Sequence, residues 1–178
     1  MAGRAIPLDK ESLRALAIHY VARYATSSGK LSAYLARKLR ERGWGEDAPP
    51  DIPTLVAACV EKGFVDDSAF ARIKSEGLRA RGYGGRRVHQ ALRQAGIGDD
   101  LARTTAATSP EEALRDALHL AARKRIGPYS QMVADDRTRH RWVGQLARAG
   151  HGADVIRTIL AMDRAAAEAC ENIGYDDG

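Results

Sequence analysis

Arg79, Arg81, Arg86 and Arg87 stand on either side of the stretch "GYGG" at residues 82–85. A guanidinium is planar, always charged and shaped for two-point contact with a carboxylate or phosphate. The run extends further: from Arg72 to Arg93 the cations are Arg72, Lys74, Arg79, Arg81, Arg86, Arg87 and Arg93, against one acid, Glu76. A second run holds Lys30, Arg37, Lys38, Arg40 and Arg42 against Glu41, and a third Arg123, Lys124, Arg125, Arg137, Arg139, Arg141 and Arg148. Any one of these alone is equally an ordinary solvated position. As a set they lack the interleaved signs of a solvated face. Three such runs predict one continuous basic surface for an acidic partner, in keeping with a net charge of +5 and a pI near 9.4. The candidate partner-binding residues are Arg37, Lys38, Arg40, Arg42, Arg79, Arg81, Arg86, Arg87 and Arg93. Tyr83, between Arg81 and Arg86, suits base stacking or packing at a helix junction.

The residues suited to catalysis do not assemble into a set. There is no GxxxxGK, and "GYGG" is followed by neither Lys nor Ser/Thr, so it reads as a helix break rather than a phosphate loop. No HExxH occurs, and His19, His89, His119, His140 and His151 are scattered. His140 sits in "RTRHRW", among arginines that repel a cation. Asp66–Asp67 are expected to cap a helix rather than to act as paired acids. Cys59 and Cys170 form no CxxC and are expected as buried small hydrophobes. No enzyme, metal or cofactor is expected.

The elements that must carry the cations repeat. Gly43, Gly96 and Gly150 lie 53 and 54 residues apart. Four residues before each stands Leu39, Leu92 or Leu146; eight before, Leu35, Val88 or Trp142; two after, Gly45, Gly98 or Gly152. Apolar residues at that spacing share one helical face, and the first glycine of each pair stops the helix in a left-handed conformation. Around each marker helix lie two more. Leu13, Leu16, Ala17, Tyr20 and Tyr24 form a stripe over 12–26; Ile52, Leu55, Val56, Cys59 and Val60 form one over 52–63. A helix runs from "FVDDSAFARI" to about Arg81, with Phe70, Ile73, Val88 and Leu92 as the apolar stripe of the middle unit. A short helix follows from Asp99 to about Thr105. "TSPEEAL" starts the third unit with Ser109 as cap, Pro110 in the first position and Glu112 closing a capping box; its last helix carries Val155, Ile156, Ile159 and Leu160.

With only 6% aromatics and abundant Ala, Leu and Arg, the fold class is all-α. Three tandem three-helix repeats are expected to form an elongated array open to curvature. The expected divisions are 1–64, 65–107 and 108–162, with an acidic tail at 163–178 that extends the last helix and then frays. "MAGRAIPLDK" lacks a signal-peptide core and no run approaches the ~20 apolar residues of a membrane span, so a cytoplasmic monomer is expected.

Three stretches, "LARKLRERGWG", "LVAACVEKGFVDDSAFARIKSEGLRARGYGGRRVHQALRQAGIGDD" and "WVGQLARAGHG", resemble the RecX family of bacterial regulatory proteins. The most specific are "EKGFVDDSAFA" and "GYGGRRVHQALRQAGI". The resemblance covers about 12–162; the loop at 44–53 and "KRIGPYSQMVADDRTRHRW" depart from the pattern. It implies a non-enzymatic modulator, acting in DNA repair, recombination and the SOS response. Such a modulator binds the RecA recombinase–single-stranded DNA filament, restrains its extension, ATP hydrolysis and strand exchange, and can touch DNA directly. The alternative is a general DNA-binding helical repeat protein or helix-turn-helix regulator. The marker helices carry few Asn, Gln or Ser for base reading, which favours backbone or protein contact.

Two outcomes are expected from sequence alone. Gly96→Val should cost about 1–3 kcal/mol through the left-handed position, read by denaturant melts. Changing Arg79, Arg81, Arg86 and Arg87 together to Glu should weaken partner binding and leave helicity intact.

Overall fold

Most of the helices start where a short polar side chain accepts from a free backbone amide. In the computed structural model, which describes residues 6–172, Asp9 caps α1 (Lys10–Arg23) in a reciprocal box with Ser12. Ser27 caps α2 (Ser28–Arg42) and Asp51 caps α3 (Ile52–Glu61). Asp66 Oδ1 accepts from the Ala69 amide at the start of α4 (Asp67–Arg79). After the glycine break come α5 (Gly85–Gln94) and α6 (Asp99–Ala106). Ser109 and Glu112 close the expected box over α7 (Pro110–Lys124), which Arg125 ends at φ 54°. A 3-10 turn (Gly127–Tyr129) leads to α8 (Asp136–Arg148), capped by Asp135, and α9 (Ala153–Ala161). The all-helical expectation holds: ten α-helices occur among the described residues, and the extended pairing there is one bridge, Leu8 with Trp44.

The chain divides into two compact units. One holds the residues up to Ala71 with Arg93–Gly98; the other holds Arg72–Leu92 with the residues from Asp99 onward. In the first, α1, α2 and α3 bury Leu8, Leu13, Ala17, Leu31, Leu35, Val56, Cys59 and Val65. In the second, one face of α7 (Ala117, Leu118, Leu120, Ala121) packs with Ile126, Trp142, Leu146, Ile156 and Ile159.

The marker glycines do more than stop helices. Gly43, Gly96 and Gly150 all have positive φ, at 81°, 77° and 96°. In the first unit Gly96 rests on Gly29, in the first turn of α2; a Cβ on Gly29 would lie 2.5 Å from the Gly96 Cα. Ser27 Oγ donates to the Ala95 carbonyl beside it. In the second unit Gly150 rests on the start of α5 in the same way. The Gly84 amide donates to the Ala149 carbonyl at 3.0 Å, the Arg86 amide to the Gly150 carbonyl at 3.3 Å, and a Cβ on Gly84 would lie 2.6 Å from the Gly150 oxygen. In the second unit the free amides of one helix start meet the free carbonyls of another helix end; in the first, the Ser27 hydroxyl makes the bond to the helix-end carbonyl.

Several expectations change. α1 ends at Arg23, leaving Tyr24 51% exposed rather than in the stripe. Val60 is also exposed. α4 ends at Arg79 and buries Ala71, Ser75 and Leu78, while Ile73 is 60% exposed and Phe70 is half-buried with the Lys30 ammonium over its ring. Small side chains face inward because the packing is close; the bulky pair falls on the other side of the helix. Asp67 does not share the capping with Asp66. Its carboxylate accepts from the Ser28 amide and hydroxyl, stapling the start of α4 to the start of α2. Beyond Met162 the chain does not extend α9. It turns, Asp163 accepts from the Ala166 amide, and α10 (Arg164–Asn172) buries Ala167 in the core of the second unit. The acidic end, 173–178, lies outside the described residues.

His151, next to the last marker glycine, is buried, with Nε2–H donating to the Gly82 carbonyl at 3.0 Å. Burial holds its pKa below the ordinary 6.5 despite that bond. A depressed folded-state pKa gives stability that is full above the unfolded value and lost as pH falls through 6.5 toward the folded value. Melts between pH 7.5 and 5 should show this loss, and His151→Gln should flatten it.

Gly29→Ala and Gly84→Ala should each destabilise by about 1–3 kcal/mol through overpacking. Gly77→Ala, in α4 with open space around it, should instead stabilise by about 0.5–1 kcal/mol. Chemical denaturation of the three variants reads both signs.

Candidate partner-binding surface

The nine candidate cations divide by what they touch. Arg79 is the clearest departure from a free surface. Its Nη1 bonds Asp116 at 3.0 Å, with the two side chains only 20% and 16% exposed. Its Nη2 donates to the Ala106 and Ala107 carbonyls at 3.0 and 3.1 Å, closing the end of α6, and Nε reaches Ser75 Oγ. Burial pushes the Asp116 carboxyl above the ordinary aspartate value, and the guanidinium offsets this in part. Arg79 holds α4, α6 and α7 together; the expectation that packing does not need it is corrected. The sequence hides this because Asp116 is 37 residues away.

Arg93 Nη1 donates to the Ile97 carbonyl at 2.7 Å, and Arg42 Nε to the Ile6 carbonyl at 3.0 Å. Both satisfy backbone near a helix end. Arg37 and Lys38 flank Glu41 at 3.6 and 2.7 Å, and Lys38, with Arg37 and Arg40, holds that carboxyl below the usual range. These are exposed pairs of small net energy, easily exchanged for a partner's acid. Arg40 is exposed and makes no hydrogen bond or ion pair among the described residues.

In the second unit, Arg81 Nε donates to the Gly77 carbonyl and the guanidinium lies 5.8 Å over the Tyr83 ring. Tyr83 packs against the core of that unit, which decides its packing role. Arg87 reaches Gln90 at 2.9 Å. The Arg86 side chain is exposed and makes no hydrogen bond or ion pair among the described residues. Arg86 and Arg87 stand in the first turn of α5, where Gly84 and Gly150 fix the backbone. Their heads are therefore presented from a rigid mount.

Sequence reading missed an aromatic row in the first unit. Tyr20 and Tyr34 stack at 4.2 Å with 17° between planes, and Tyr24 lies tilted against Tyr20 at 5.3 Å. Arg23 is over Tyr24, and Arg37 and Lys38 are over Tyr34. The available signal was two tyrosines four apart beside Arg23.

The model of "RecX, second three-helix domain" matches residues 66–105, from the Asp66 cap into α6. The regulatory protein RecX of Myxococcus xanthus (strain DK1622) is 32% identical over 155 residues, covering 81% of each chain. The chain belongs to the RecX family. A second RecX relative, from Mycobacterium sp. (strain JLS), is 31% identical over 166 residues and 88% of each chain. The crystal structure of RecX from Lactobacillus salivarius superposes with a TM-score of 0.64 at 17% identity, over 84% of this chain and 93% of that one, which shows the shared RecX fold. These relatives are named regulatory proteins. No helix among the described residues is long and apolar enough to cross a membrane.

Arg79→Glu should destabilise by about 3–5 kcal/mol, since it breaks a buried pair and sets two carboxylates together. Arg86→Glu and Arg87→Glu should stay within about 0.5 kcal/mol of the parent. The quadruple replacement is therefore expected to lose cooperative melting, and the comparison by thermal melts isolates Arg79 as the cause.

Proposed function

We propose that this chain binds the RecA recombinase filament on single-stranded DNA and restrains its extension, ATP hydrolysis and strand exchange, without chemistry of its own. The observation that carries this, within the RecX family, is the paired presentation of Arg86 and Arg87. Two exposed guanidiniums rise from a helix start locked by Gly84 against Gly150. Arg37, Lys38 and Arg40 add exchangeable or unpaired charge on α2, and Arg81 adds a cation in the turn after α4. A rigid mount lowers the ordering cost of binding. Arg79, Arg93 and Arg42 each fix backbone within their own unit.

A second reading, direct contact with single-stranded DNA, is favoured by the Tyr24–Tyr20–Tyr34 row among Arg23, Arg37 and Lys38. Tyr24, the exposed ring of the row, stands beside Arg23 and suits stacking on a base without sequence preference.

Filament and bare single strands measured in parallel across a salt series separate the two. Arg86→Glu with Arg87→Glu should weaken filament binding about tenfold or more, and filament binding should persist at salt that abolishes bare-DNA binding. Tyr24→Ala should reduce the bare-DNA affinity alone. Equal salt slopes on both ligands would favour the plain DNA-binding reading, and full filament affinity in the double variant would remove Arg86 and Arg87 from the site.

A further inference from the structure

Within the second unit a groove of about 520 Å³ runs between α8 and α9. Arg139, Val143 and Ala147 line it from α8 at four-residue spacing, and Ile156 and Leu160 line it from α9. Val143 is 42% exposed, so the floor is open and apolar. Arg86, Arg139 and Arg157 stand around it, and none of its lining residues is acidic. Neither Arg86 nor Arg139 has a side-chain bond among the described residues. Arg157 holds Asp154 at 2.9 Å, an exposed pair with the two side chains 76% and 91% open.

We infer that this groove docks an acidic amphipathic helix of a protein partner. Two helices leave a furrow whose walls repeat every turn, and the shape that matches such a furrow is a third helix. The apolar floor asks for apolar residues at i, i+3, i+4 and i+7 of that helix. The three guanidiniums ask for Glu or Asp on both of its flanks, with Arg157 exchanging Asp154 for the partner's acid. A nucleic-acid backbone would satisfy the arginines and leave Val143 and Leu160 uncovered. The inference goes beyond the proposed filament binding by naming the chemistry of one contact, and its peptide test does not rest on that proposal.

The probe is a fluorescein-labelled peptide of about four turns with Leu at the stripe positions and Glu on the flanks, beside an isomer of scrambled order. The full chain should bind the patterned peptide about tenfold or more tightly than the scrambled one. Arg139→Glu and Val143→Asp should each lose about tenfold or more while their circular-dichroism melts stay intact. Equal affinity for both peptides, or unchanged affinity in both variants, overturns the inference. With a benzophenone amino acid at position 143 and purified recombinase filament, a cross-link within an acidic helical segment of the recombinase is the expected result. A cross-link to DNA or to a second copy of the chain, or none while the filament is bound, also overturns it. Absence of filament binding by the parent chain sinks the proposed function alone, and the peptide arm then decides the groove.

Discussion

The structure depends on backbone touching backbone at two glycine contacts. Gly96 lies on Gly29 in one unit, and Gly150 lies on Gly84 in the other. A Cβ at any of the four glycines would lie 2.4–2.6 Å from backbone of the opposite segment, so the segments would have to move apart. Contact this close lets amides of a helix start find carbonyls of a helix end, as in the bonds from Gly84 and Arg86 to Ala149 and Gly150. Buried polar backbone is satisfied without a sheet, and the helix dipoles meet end to end with opposite sign. Gly96 and Gly150, 54 residues apart, are thus packing contacts as well as helix stops, whereas Gly43 stops its helix with open space around it.

That contact also organises the charge. Helix starts ordinarily favour acids and disfavour cations. Arg86 and Arg87 nonetheless occupy the first turn of α5, because the carbonyls of Ala149 and Gly150 already supply the negative end. The local cost of the cations falls, and they remain exposed. Arg79 is the converse. It is a cation spent on the interior, where three kinds of acceptor surround it: a carboxylate, three backbone carbonyls and a hydroxyl. An arginine-rich chain therefore uses one side-chain chemistry for two ends, and its neighbours in space decide which.

The acids follow the same logic. Asp66 and Asp67 are adjacent and chemically identical, yet one caps its own helix and the other crosses to Ser28. Tyr20 and Tyr24 share a helix, yet one is stacked on Tyr34 and the other stands in solvent beside Arg23. In each case the helix periodicity sets the direction of the side chain, and the element opposite sets its role.

The sequence by itself determined most of the helices with their caps and stops. Those features rest on interactions within a few residues: Ser109 with Glu112, Asp51 with Thr54, a glycine able to take positive φ. It also carried the family, because the motifs over residues 61–97 are short and local. Tertiary structure alone decided what depends on distant partners. Arg79 meets Asp116, His151 meets the Gly82 carbonyl, and α10 returns Ala167 to the core instead of prolonging α9. The inward face of α4 was misjudged for the same reason. Hydrophobicity singles out Phe70 and Ile73, but the room available inside admits Ala71 and Ser75, and that room is set by elements far away in the chain.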